Sequence, residues 1–243
     1  MKILIVKDYD EISKIAAEEL GKVVNDKPEA ILGLATGGTP IGMYKELIKM
    51  YKEKEIDFSK VTTVNLDEYV GLSGEHDQSY RYFMDINLFN HVNIRKDRTF
   101  VPNGLAKDIY QECINYDKRI EELGGIDVQI LGIGNNGHIG FNEPSDVLSL
   151  GTHLADLTES TIEANSRYFS SKEEVPTQAL TMGLGAIMKS KKILLMVSGE
   201  AKADIMDRVV NGKITTQVPA SFLQMHKDVT LIIDEAAAKK IKK

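Results

Sequence analysis

Cysteine is nearly absent: Cys113 stands alone among 243 residues. No disulfide can form within the chain, which suits a reducing compartment. Long apolar runs are missing too. No stretch approaches the length needed to span a bilayer, and the apolar run at 3–6 is too short for a secretory signal and lacks a small-residue cleavage site. Positive charge is in deficit, with 30 Lys and Arg against 36 Asp and Glu and a net charge of −6. That balance gives no general attraction to nucleic acid or anionic membranes. An anionic ligand must then be held by local positive groups. The expectation is a cytoplasmic protein with neither nucleic acid nor membrane as partner.

What is present is an ordinary globular composition, 42% hydrophobic and 27% charged, long enough for a full core. Runs rich in Val, Ile and Leu at 3–6, 31–35, 61–66, 128–133, 193–197 and 229–233 read as buried strands. Helical periods lie between them. One is entered at Asp8 with Glu11 three positions on, a capping-box variant, and carries Ile12, Ile15, Ala16, Leu20 and Val23 on its apolar face. Another carries Ile109, Cys113, Tyr116, Ile120 and Leu123 and stops at Gly124-Gly125. The alternation predicts an α/β three-layer sandwich: a mostly parallel, Rossmann-like central sheet flanked by helices. Residues 1–243 read as a single domain. The least regular stretch is 145–178, dominated by hydroxyl and charged residues, and a mobile lid is expected within it.

The densest local signal is Gly132-Ile133-Gly134-Asn135-Asn136-Gly137-His138-Ile139-Gly140-Phe141-Asn142-Glu143-Pro144. Its glycines free the backbone to approach a ligand, and Asn136, His138 and Glu143 gather within eight positions. The run follows a predicted strand, so it falls on the edge where open α/β sheets bind ligands. As a string it also matches the dinucleotide fingerprint. That motif opens a helix, however, and here Pro144 and Asn142-Glu143 interrupt one, while Asp156 lies in the irregular stretch. Metal binding through His138 and Glu143 lacks support, because His76, His91, His153 and His226 show no ligand spacing. A structural histidine is the bland alternative, and acid–base service is the reading favoured by the two polar neighbours.

Two further motifs end strands. Thr36-Gly37-Gly38-Thr39-Pro40 feeds a helix, whose free N–H groups and dipole favour phosphate; a mere strand–helix connection is the alternative. No Gly-Lys-Ser/Thr is present, so a nucleotide P-loop is not supported. Asn65-Leu66-Asp67-Glu68-Tyr69-Val70-Gly71 sets two carboxylates after a buried strand, where carboxylates stay only if paired or used. Asp67 reads either as a tuned base or as a capping carboxylate, and adjacent residues pointing apart implies different tasks for Asp67 and Glu68. Arg167, in Asn165-Ser166-Arg167-Tyr168-Phe169, and Lys202 are candidate phosphate cations, each with an exposed surface charge as its alternative.

Taken in order from about residue 30 to about residue 235, these segments resemble the glucosamine-6-phosphate deaminase family. The resemblance implies isomerisation and deamination of glucosamine 6-phosphate to fructose 6-phosphate and ammonia, without metal or organic cofactor. It implies that His138 moves a proton at the ring oxygen, that Glu143 and Asn136 orient the imidazole, and that Asp67 carries a proton from C2 to C1. Gly37, Gly38, Thr39, Arg167 and Lys202 would hold the phosphate. Asn136 stands where some members carry aspartate, which leaves Glu143 as the main anionic partner of His138. Activated hexameric members use basic residues after Asn-Glu-Pro and a longer C-terminus. The segment 150–156 has no Lys or Arg and the chain ends soon after Asp234, so activator-independent kinetics and a monomer or low-order homo-oligomer are expected. A sugar-phosphate sensor has no need of Asp67, His138 and Glu143 together, and no basic helix-turn-helix precedes the fold. A 6-phosphogluconolactonase has no use for a proton-shuttling aspartate at C2.

Overall fold

A computed structural model describes residues 1–166 and 169–241. Ten strands appear in chain order: β1 (Lys2–Val6), β2 (Ile31–Leu34), β3 (Thr62–Asn65), β4 (Asp67–Tyr69), β5 (Thr99–Phe100), β6 (Val128–Leu131), β7 (His153–Asp156), β8 (Gln178–Thr181), β9 (Lys192–Val197) and β10 (Val229–Asp234). The helices are α1 (Tyr9–Asp26), α2 (Ile41–Lys52), α3 (Tyr80–Asn87), α4 (Ile109–Glu122), α5 (Glu159–Ser166), α6 (Leu184–Met188), α7 (Ala203–Asn211) and α8 (Glu235–Ala238).

Seven strands form one sheet in the order β1-β10-β9-β6-β2-β3-β5, and every neighbouring pair is parallel. Every residue of β2, β3, β6 and β10 is buried. Successive side chains point to opposite faces, so helices cover both faces of this sheet, the three layers expected. None of the helices among the described residues is long and apolar enough to cross a membrane. The six apolar runs become six of the seven strands. The chain runs outward from β2 through β3 to β5, then returns to the other side of β2 as β6. This reversal opens a crevice beyond the C-terminal ends of β2 and β6, where α/β sheets bind ligands.

Capping follows the sequence closely. Asp8 accepts the Glu11 N–H at 3.1 Å at the start of α1. The return bond is displaced by one residue, since Glu11 accepts from Lys7 N rather than from the cap itself. Gly124 and Gly125, at φ 87° and 83°, end α4 in the left-handed conformation that glycine tolerates.

Two expectations needed revision. The run 61–66 is not one strand: β3 stops at Asn65, and after Leu66 the chain enters β4 of a second, antiparallel sheet ordered β4-β8-β7. The stretch 145–178 is also more regular than its composition suggests, holding β7 and α5. A strand at the edge of a small sheet keeps one face wet and needs no apolar run. A minor core of Tyr69, Phe141, Ala155, Leu157 and Ala179 fastens this sheet to the loop after β6.

Candidate active site

The crevice beyond β2 and β6 is a cavity of about 560 Å³. Its wall includes Gly37, Gly38 and Thr39 from the loop after β2, Asp67 from β4, Asn136 and His138 from the loop after β6, and Lys202. Residues far apart in the sequence thus converge on one chamber. Glu143 lies behind His138, and Arg167, expected on the phosphate, lies outside the described residues.

The loop after β2 is shaped from beneath. Gly37 has φ 83°, and a Cβ at Gly37 or Gly38 would meet open space rather than protein. Tyr9 of α1 donates to the carbonyls of Gly38 and Thr39 at 3.1 Å each and accepts the Gly42 N–H at 2.8 Å. Lys202, in a 3₁₀ turn leading into α7, donates to the Ile133 carbonyl at 2.8 Å. It is the one lysine or arginine among the described residues of the wall. Burial lowers its ammonium pKa. An anion beside it would offset that burial, as ion pairing favours the charged form.

Asp67 and Glu68 separate at once. Asp67 is buried at the cavity, and burial, followed by the charge of Glu68, pushes its carboxyl up to about 8. Glu68 turns away and accepts three backbone N–H groups, from Tyr69 at 2.9 Å, Tyr80 at 2.8 Å and Arg81 at 2.9 Å. The last two belong to the first turn of α3, so Glu68 is the helix-capping carboxylate. Burial raises it to about 7, against the opposing pull of those N–H donors.

His138 is held by packing and by charge. A Cβ on Gly134 would fall 2.3–2.5 Å from three atoms of the imidazole, so the ring lies directly over that glycine. Glu143 Oε1 is 3.1 Å from His138 Nδ1, in charge-pair range though not aligned as a regular hydrogen bond. Burial alone would raise the Glu143 carboxyl; the pull of His138, Thr161 and Asn136 prevails and holds it at about 2. Asn136 does not bond the imidazole. Its Oδ1 accepts the His138 backbone N–H at 3.1 Å and its Nδ2 donates to Glu143 Oε2 at 2.6 Å. Its influence on the ring therefore runs through Glu143.

Sequence reasoning missed Tyr9, Tyr80 and Thr161. Tyr80 lines the cavity and lies parallel to Phe141, with ring centroids 6.2 Å apart. Thr161 of α5 donates to Glu143 Oε1 at 2.7 Å. No local motif marks these residues, because each acts on a partner distant in the chain.

Such a chamber, with a carboxyl of raised pKa facing an imidazole–carboxylate pair and a glycine loop beside a lysine, suits proton transfer on a small phosphorylated molecule. Comparison with known proteins agrees. Residues 9–232 match the model of the glucosamine-6-phosphate isomerases/6-phosphogluconolactonase family. The chain is 63% identical over 242 residues to a glucosamine-6-phosphate deaminase of Clostridium perfringens (strain 13 / Type A), covering 100% of both. It is 62% identical over 242 residues to that of Clostridium beijerinckii, again covering 100% of both. A solved monomeric glucosamine-6-phosphate deaminase superposes with a TM-score of 0.96 at 46% identity, covering 99% of this chain and 100% of that one. A 6-phosphogluconolactonase from Trypanosoma cruzi reaches 0.78 at 17% identity, covering 100% and 97%, a likeness of fold alone. With nearly its whole length matched and its site built from the motifs described, the chain belongs to the family of glucosamine-6-phosphate isomerases and 6-phosphogluconolactonases.

Proposed function

We infer that the chain converts glucosamine 6-phosphate to fructose 6-phosphate and ammonia, a step of amino-sugar breakdown. The observation that carries this reading is the full-length identity to deaminases joined to one cavity lined by both Asp67 and His138. In this reading the Gly37–Gly38–Thr39 loop and Lys202 hold the phosphate, and that remote binding energy positions the reacting carbons. His138, charge-balanced by Glu143, passes a proton at the ring oxygen and opens the pyranose. Asp67 takes the C2 proton to give an enolamine and returns a proton at C1. Water adds to the resulting ketimine and ammonia leaves. A fixed general base contributes roughly 10²–10⁴-fold to such a step.

The segment through α5 serves as the cover of the cavity, since Thr161 and Asn165 lie on its wall. We also place the protein in the cytoplasm as a monomer or low-order oligomer, in keeping with the monomeric relative. The test is incubation with glucosamine 6-phosphate in deuterium oxide. Ammonia together with deuterium in the fructose 6-phosphate is expected; inert substrate sinks the reading.

A further inference from the structure

Glu143 has three partners, and they come from two parts of the chain. Asn136 and His138 sit with it on the loop after β6. Thr161 sits on α5, and its hydroxyl reaches the same Oε1 that faces the imidazole. The hydroxyl of Thr158 donates to the Thr161 oxygen at 3.0 Å, so the Thr161 hydrogen is committed to Glu143. Thr161 is 8% exposed. One turn further along the same face of α5, Asn165 lines the cavity. A single helix face thus presents both residues to the chamber, and Thr161 also to the carboxylate behind it.

We propose that Thr161 is a positioning residue: its hydroxyl links the seating of α5 over the cavity to the proton-transfer competence of the His138–Glu143 pair. The proposal rests on the function inferred above. Seated, the hydroxyl shares Oε1 with the imidazole and fixes the plane of the carboxylate together with Asn136. Without that hydroxyl, Oε1 loses a donor and its charge falls on the imidazole alone. The plane of the carboxylate is then set by Asn136 alone, and the imidazole beside it shuttles a proton less well.

The test uses Thr161→Val, which keeps the shape and removes the donor, and Thr161→Ser, which restores it. For Thr161→Val a fall in kcat of about tenfold is expected, the loss of one hydrogen bond to a charged group, with KM unchanged. In ligand-free protein, the pH at which the Glu143 side-chain carboxyl resonance titrates moves upward, because one of the donors that hold it low is gone. Thr161→Ser returns both to wild type. Asp67, Tyr80 and Lys202 also face the cavity, and none of them bonds Thr161, so a displaced titration reports Glu143. An unmoved or lowered titration, a change confined to KM, or failure of the serine variant overturns the proposal. Thr161→Ala serves as a second variant, and loss of folding in both assigns a purely structural role and also overturns it. If wild type releases no ammonia, the functional reading falls, while the substrate-free titration still decides the role of Thr161.

Discussion

Asp67 and Glu68 are consecutive residues of one three-residue strand, yet one faces the cavity and the other caps α3. The β period of two separates them, and burial raises both carboxyls for different uses.

Asp67→Asn should abolish ammonia release, with kcat lower by about 10³-fold or more. Burial and the Glu68 charge hold the wild-type carboxyl up at about 8, so kcat/KM should rise with pH through that region. A profile flat between about pH 6 and about pH 9 would contradict Asp67 as the base.

The same shift bears on stability. Folded Asp67 keeps a proton up to about 8, whereas an ordinary aspartate releases it near 3.8. Between those values the folded state binds more protons, so its contribution is full at the acid end and is lost as pH rises through 8. Asp67→Asn should therefore gain stability over wild type as pH rises. Urea midpoints measured at about pH 5 and about pH 9 check the sign.

Glu68→Gln should cost about 1–3 kcal/mol, because an amide –NH₂ would confront one of the three backbone N–H groups. Urea unfolding measures it, and an unchanged midpoint would remove the capping role.

Two glycines should respond oppositely to alanine. Gly134→Ala sets a Cβ against the His138 ring and should lower kcat by about 10²-fold through displacement of that imidazole. Gly38→Ala meets no protein atom, so the variant folds normally and the methyl intrudes on the anion, raising KM. Steady-state kinetics with thermal melts distinguish the two.

Lys202→Met should raise KM about tenfold or more, the loss of a charge-assisted contact, with the smaller effect on kcat. Inorganic phosphate, as a competitive inhibitor, should weaken in parallel. Unchanged inhibition would place the anion elsewhere.

Much of this was legible from the sequence because it is local. Buried parallel strands announce themselves as apolar runs, and Asp8 and Gly124-Gly125 mark helix ends by rules that span four residues. The glycine loops could be read because only glycine serves where Gly134 lies under a ring. Tyr9 was hidden because its partners stand 29 to 33 positions away. Thr161 was hidden for the same reason, being one hydroxyl among many in a polar stretch. The small sheet escaped because β7 carries no apolar signature, and the break at Leu66 because its residue type suits either sheet.

β4 delivers Asp67, and β7, two strands away in the same small sheet, leads through Leu157 and Thr158 into α5. Thr181 of β8 stands opposite both Asp67 and His153. Asp67 and α5 thereby hang from one ladder. The loop after β6 is tied to the same ladder, through Phe141 in the minor core and through the Thr181 hydroxyl, which accepts the Phe141 N–H at 3.0 Å, so Asp67, α5 and His138 share one support.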